Sequence, residues 1–288
     1  MNGGMSHEAG GGMLPVLRRC VVTLGLAIKR LTRPISGYGD HPWRRGFPWV
    51  DEPKRLAIAA AIAVGVFFFG MIVIDAAATN AVRHLANVVV AFFDWITDFG
   101  KAAWLLWPLG LLFLALAALP SNLSAMSRAV IMASMTRVGF LFVAIGAPGL
   151  FSSLVKNMIG RARPGVGGSV NPYLFDPFHW TPAYASMPSG HATAAFAILA
   201  AVATLFPRAR TVLLIYALLI AASRIVIRAH YPTDVAAGAL AGIIGVLLVR
   251  RWFALQRLGF SIRADGGLVQ YPGPSLRRIK SVARELLA

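Results

Sequence analysis

Acidic residues are scarce in this chain of 288 residues: eleven Asp and Glu stand against 28 Lys and Arg, for a formal net charge of +17. Charge of either sign is thin as well, at 14% of residues, where globular chains carry roughly 25%. So small a charged fraction beside 57% hydrophobic residues excludes an ordinary soluble domain. The positive excess raises nucleic acid as a partner, but a mean hydropathy of +0.67 excludes it. Cysteine is nearly absent. The single Cys20 excludes an intramolecular disulfide and a thiolate-rich metal site. What remains is an integral membrane protein whose basic residues gather outside the bilayer.

Long uncharged runs are what the chain has in quantity. A helix needs about 20 mostly apolar residues to cross a hydrocarbon core about 30 Å thick. Residues 56–74, 102–119, 138–155, 191–206, 211–227 and 235–249 fit that description, the fifth run interrupted by Arg224. The chain therefore reads as all-α, a polytopic membrane protein with six transmembrane helices. Residues 1–55 form a basic N-terminal segment, 56–252 the membrane domain and 253–288 a basic tail. Six spans put both termini on one side, which receives 21 of the 28 Lys and Arg. The positive-inside rule places that side in the cytoplasm.

A cleavable signal peptide is not expected, because Arg18 and Arg19 interrupt the first apolar run and no small-residue cleavage site follows. The glycine-rich first dozen residues are expected to be disordered. Residues 17–31 and 275–287 mix apolar with basic side chains. That mixture fits either a helix on the anionic cytoplasmic surface or a solvated tail. Between the first two spans, Val82, Leu85, Ala86, Val89, Val90, Phe93 and Ile96 recur at helical spacing. They predict a helix on the outer membrane surface, with Phe92, Trp95 and Phe99 near the interface, serving lipid access or simple packing against the bundle.

The few charges left on the outer side sit at span ends. Lys156 closes the third span, His191 opens the fourth, Arg224 lies about a turn inside the end of the fifth, and His230 and Asp234 lead into the sixth. Polar groups at this depth are costly and usually functional. Lys156 offers a point charge, while Arg163 and Arg224 offer planar forks suited to phosphate. Pro188-Ser189-Gly190-His191 precedes an apolar helix, so Ser189 is placed to cap it and Gly190 lets a ligand approach the free N–H groups. In His230-Tyr231-Pro232-Thr233-Asp234, the carboxylate is close enough to accept a hydrogen bond from one imidazole nitrogen and leave the other to attack phosphorus. His191 is then the general acid. No Asp, Glu, His or Cys cluster has metal-ligand spacing, and no metal or cofactor is expected.

Lys156, Arg163, Pro164, Pro188, Ser189, Gly190, His191, Ser223, Arg224, His230 and Asp234 together resemble the three-part signature of the type 2 phosphatidic acid phosphatase (PAP2) superfamily. The motifs span residues 156–234, and the six-span layout extends the likeness to about 56–252. The resemblance implies a PAP2-like helical core and a metal-independent lipid phosphatase. His230 would form a phosphohistidine, Asp234 would orient it, and His191 would act as acid and later activate water. Lys156, Arg163, Ser189, Gly190 and Arg224 would hold the phosphate. The implied partners are the bilayer and a phosphorylated membrane lipid: lipid A, undecaprenyl pyrophosphate, phosphatidylglycerophosphate or phosphatidate. The implied location is the inner membrane, with the site on the periplasmic face.

Taken singly, each motif has a plainer explanation: a basic membrane flank, a turn and helix cap, a snorkelling arginine. Arg161 and Arg228 fit either headgroup contact or interface anchoring, and Asp94, Asp98, Asp176 and His179 read as loop or capping residues. The aromatics of the loop 165–187 fit either headgroup selection or interface anchoring. A lipid phosphotransferase would use the same residues. An anion transporter would also explain buried Arg and Lys, but gives no reason for His230 and Asp234 at their spacing.

Overall fold

The helix that begins at Pro53 is, past Lys54 and Arg55, apolar on every side, as expected of a segment facing lipid. The computed structural model describes residues 21, 22, 25, 53–120, 122–263 and 265–287. Cys20, His7, His41, the glycine-rich start and all of 17–31 except Val21, Val22 and Gly25 lie outside the described residues. Helix α1 (Pro53–Gly70) widens into a π-helical turn at Met71–Asp75 and continues as α2 (Ala76–Ala81). Then follow α3 (Asn87–Thr97), α4 (Ala103–Ala118), α5 (Ala125–Ile159), α6 (Gly190–Leu205), α7 (Arg210–Val226) and α8 (Pro232–Leu255).

Each expected span falls on a helix. Among the described residues, five helical stretches are long and apolar enough to cross a bilayer: Ala57–His84, Asn87–Ala118, Ala125–Ile159, Pro207–Val226 and Pro232–Leu255. Helix α6, at 16 residues, is shorter. It is the inner helix of the bundle, with Ala192, Thr193, Ala194, Ala195, Ala197, Ile198 and Ala201 buried. Helix α8 packs tightly against it through Gly238 and Gly242, one turn apart. A Cβ at Gly238 would stand 2.4 Å from the Ser189 carbonyl oxygen, and one at Gly242 2.5 Å from that of Thr193. In lipid, where apolar surface gives no preference between a helix neighbour and an acyl chain, such backbone approach is what holds helices together.

A helix stands where the apolar stripe predicted one, α3, but it starts later than the stripe and belongs to the stretch Asn87–Ala118 that is long enough to span. Leu85 and Ala86 lie in the break before it, while Val89, Val90, Phe93 and Ile96 turn inward and Phe92, Trp95 and Phe99 outward. The extended backbone at Lys101 (φ −76°, ψ 116°) separates α3 from α4.

At the other end of α5, the expected basic tail is folded against the bundle. Strands β1 (Phe260–Ile262) and β2 (Leu268–Gln270) pair antiparallel, and α9 (Leu276–Leu287) follows. Phe260 is buried against Phe140, whose ring also meets Phe253, and Arg137 donates to the Tyr271 carbonyl at 2.7 Å. Glu285 accepts from the Ser124 N–H and hydroxyl and from Ser127, tying α9 to the start of α5.

Candidate active site

Helix α5 ends at Gly160, whose backbone is left-handed (φ +63°), and a Cβ there would lie 1.7 Å from the Asp176 carbonyl oxygen. Only glycine ends the helix with the loop folded back so closely. The return brings Arg161 into the protein. It does neither of the things expected of it: it is fully buried and contacts neither lipid interface nor open site. Its Nη1 donates to Asp234 Oδ1 (2.6 Å) and Thr233 Oγ1 (2.8 Å), and its Nη2 to Asp75 Oδ2 (2.7 Å) and the Pro172 carbonyl (2.9 Å). Arg228, by contrast, is exposed, with a left-handed backbone (φ 54°).

Asp234 is held from several sides. Besides Arg161, it accepts the Ser186 hydroxyl (2.6 Å) and the Tyr231 N–H (2.9 Å) on Oδ2, and its own carbonyl accepts the Ser189 N–H at 2.9 Å. Its Oδ2 lies 3.8 Å from His230 Nδ1, so the direct hydrogen bond expected between them is not formed. The Ser186 hydroxyl, which donates to Asp234, stands beside both, 3.5 Å from Nδ1. The imidazole is buried, and burial pushes its pKa below the ordinary value, with Asp234 acting against this and Arg224 and Arg163 adding to it.

The Pro188-Ser189-Gly190-His191 turn opens α6 as expected, but Ser189 does not cap it. Its side chain makes no capping hydrogen bond; its Oγ is buried and has no partner. The physical reason is that Thr193 and Asp234 fix the Ser189 backbone, through Thr193 N–H to the Ser189 carbonyl and Ser189 N–H to the Asp234 carbonyl (both 2.9 Å), without using the hydroxyl. Ser223 is buried and bonds within its helix, to the Ile220 carbonyl at 2.7 Å.

Three more side chains of the set share this property. Arg163 Nε, His191 Nε2 and Arg224 Nε are buried without a hydrogen-bond partner, like Ser189 Oγ. Unpaired buried donors are rare because each forgoes solvation. Four such polar atoms lie on the loop after α5, the start of α6 and the end of α7. His230 feels the charges of Arg163 and Arg224, and Lys156 that of Arg163, so the cations share one neighbourhood. A Cβ at Gly190 would meet nothing within 4 Å, so the backbone there is open to a ligand. Such an arrangement binds a tetrahedral oxyanion beside an imidazole.

Several site residues escaped the sequence reading. Asp75 and Ser186 brace Asp234 directly or through Arg161, and Thr97 on α3 accepts Arg224 Nη1 at 2.6 Å. Gly100 lies so near that a Cβ would stand 2.9 Å from His191 Cδ2. A carboxylate at the end of the first apolar run was the available signal for Asp75.

Residues 137–258 match the PAP2 superfamily. The lipid A 1-phosphatase of Rhizobium johnstonii is 33% identical over 236 residues, 79% of this chain and 92% of that protein. The lipid A 1-phosphatase of Rhizobium etli is 33% identical over 215 residues, 74% and 92% of the two chains. The crystal structure of Aquifex aeolicus LpxE is similar with a TM-score of 0.43 and 23% identity, over 61% of this chain and 93% of that one.

Proposed function

We propose that this chain, which belongs to the PAP2 superfamily and is a membrane lipid phosphatase, hydrolyses the 1-phosphate of lipid A through a phosphohistidine. The lipid follows the names of its Rhizobium relatives. The observation that carries the chemistry is the set of buried, unpaired polar atoms, Arg163 Nε, Arg224 Nε, Ser189 Oγ and His191 Nε2, on the elements around the buried His230.

In this mechanism Lys156, Arg163 and Arg224, with Ser189 and the N–H groups following it, hold the non-bridging phosphate oxygens. Their charges complement those that gather in the transition state. Neutral His230 attacks phosphorus through Nε2, with Nδ1 facing Ser186 and Asp234. The P–O bond to the sugar breaks, and His191 gives its proton to the departing oxygen. The arriving dianion supplies the negative charge beside which His191 carries that proton. His191 then takes a proton from water, the resulting hydroxide displaces His230 from phosphorus, and inorganic phosphate leaves. The Asp234 carboxylate stabilises the cationic imidazole in between.

We place the protein in the inner membrane with six spans, both termini cytoplasmic and the site periplasmic. Residues 1–55, 56–252 and 253–288 serve as N-terminal segment, membrane domain and tail. Helix α7 begins just after α6 ends and returns to the site at Arg224, which supports α6 traversing the same depth despite its 16 residues.

The test is phosphate release from lipid A by purified protein in detergent, with chelator and with His230→Ala and His191→Ala. Loss of at least about a thousandfold in either variant is expected, as for removal of a nucleophile or its acid. Wild-type turnover in either, or activity abolished by chelator, would overturn the mechanism. Phosphoryl groups appearing on a second lipid instead of in solution would make the enzyme a transferase.

A further inference from the structure

The buried ion cluster beneath Asp234 reaches a helix that the matched segment, residues 137–258, does not contain. Asp75 ends the π-helical turn of the first membrane helix and is fully buried, although most of that helix faces outward. Its Oδ1 accepts the Thr233 N–H (3.0 Å); its Oδ2 accepts the Thr233 hydroxyl (2.6 Å) and Arg161 Nη2 (2.7 Å). The other amino group of the same guanidinium reaches Asp234 Oδ1 at 2.6 Å. One arginine is thus divided between two carboxylates. π turns inside helices recur at functional sites, and here the wide turn delivers the second carboxylate.

We propose that Asp75 is a positioning residue for the nucleophile, acting through Arg161 to leave Asp234 with negative charge available to His230. The inference rests on His230 being the nucleophile. Asp75, Arg161 and Asp234 together carry one net negative charge. The imidazolium or phosphoimidazolium formed at His230 brings the cluster to neutrality. Were Asp75 neutral, Arg161 would be balanced by Asp234 alone, and the cationic imidazole would form beside an already neutral pair. In a buried setting with little dielectric screening, that difference weakens the nucleophile and makes its protonation harder. The other groups facing His230 are Arg163 from the loop, Arg224 from α7 and His191 from α6. They are unchanged by a substitution in the π turn.

The experiment compares Asp75→Asn, Asp75→Glu and Thr233→Val with the parent, measuring kcat, KM and the pH dependence of kcat/KM on lipid A. Asp75→Asn should lower kcat roughly tenfold to a hundredfold with KM little changed, as displaced or unbalanced supporting groups do. Its acid limb should move to lower pH by at least about half a unit. Asp75→Glu keeps the charge and should keep the limb, recovering much of kcat. Thr233→Val removes only the bridging hydroxyl and should leave the limb in place. A purely structural role predicts the reverse: Asn and Glu equally damaging and no limb moved. That result, or an Asn variant with parental kcat, would overturn the inference. Should the Asn variant fail to accumulate, Asp75→Glu decides, since a moved limb with the charge retained also overturns it. An active His230→Ala sinks the reading of the site; an inactive one beside a parental Asp75→Asn sinks only this inference.

Discussion

Arg161 and Arg163 leave the same loop two residues apart and meet opposite surroundings. Arg161 is fully buried, with each of its nitrogens donating to a carboxylate, a hydroxyl or a carbonyl. Arg163 is half-buried, and its Nε has no partner. The difference separates scaffold from ligand site. A buried cation whose donors are all used by the protein holds helices in place, whereas one left short of acceptors is set to receive an anion. The same division runs through the whole site end: Asp75, Thr233, Ser186 and Asp234 lie on the satisfied side, and Ser189, His191 and Arg224 on the open side.

Two alanine substitutions break this comparison most sharply. Arg161→Ala leaves Asp75 and Asp234 as buried carboxylates without a counter-ion, which should cost about 3–5 kcal/mol and largely prevent accumulation of folded protein. Arg163→Ala should do the opposite. Its thermal unfolding midpoint in detergent should stay near the parent's, while kcat/KM on lipid A falls by roughly 10²–10³, as for loss of a transition-state donor. If both variants lose stability alike, the division into scaffold and ligand cations is wrong.

Next in size is the effect of pH. Burial holds the His230 imidazole below its usual value of 6.5, so the neutral, nucleophilic form prevails at pH 7. Activity, corrected for the second ionisation of the phosphate itself, should hold steady down to about pH 6.5 and fall only below it. Stability follows the same sign. In the unfolded chain the group binds its proton near the ordinary pKa, and in the native state only below the depressed one. Between the two, the unfolded state holds more protons, and stability falls as pH falls. An acid limb of kcat/KM lying above pH 6.5 would contradict a buried neutral His230.

The membrane architecture and the open side were legible in the sequence, and the satisfied side was not. Uncharged runs mark the spans because lipid tolerates little else, and the residues proposed to hold phosphate stand out where they interrupt or end such runs. Lys156 to Arg163, Pro188 to His191 and Arg224 to Asp234 are each contiguous, so their chemistry shows locally. Asp75 and Arg161 are 86 residues apart, and their pairing depends on a π turn that no hydropathy pattern encodes. Arg161 next to Arg163 looks like a second phosphate ligand until Gly160 is seen turning it inward. The hairpin of β1 and β2 escaped notice because its strands have three residues each, too few for an alternation of apolar and polar residues to register.

A smaller effect tests whether α3 belongs to the site. Thr97 accepts Arg224 Nη1 at 2.6 Å, a hydrogen bond that fixes this arginine from α3. Thr97→Val keeps the shape and removes the acceptor. A loss of about fivefold in kcat/KM, equivalent to about 1 kcal/mol, is expected with stability little changed. Parental kinetics would make α3 mere packing.

The smallest effect belongs to the far end of the bundle. Glu285 joins α9 to the start of α5 through Ser124 and Ser127, and those donors, the Ser127 hydroxyl foremost, hold its pKa below the usual carboxylate range. Helix α5 has 35 residues, so this junction is separated from Lys156 by most of a helix about 50 Å long. Glu285→Gln keeps the shape but removes the charge that draws three donors to one carboxylate. Limited proteolysis should then cut between β2 and α9 or within α9 more readily, while kcat and KM on lipid A remain those of the parent. Because the native carboxylate is the more acidic one, the parent's own protection should likewise fade as pH falls through its depressed pKa, and the Gln variant's should not. A Gln variant with altered kcat would mean that the two ends of α5 communicate, and the contrast between a site end that binds and a far end that only packs would no longer hold.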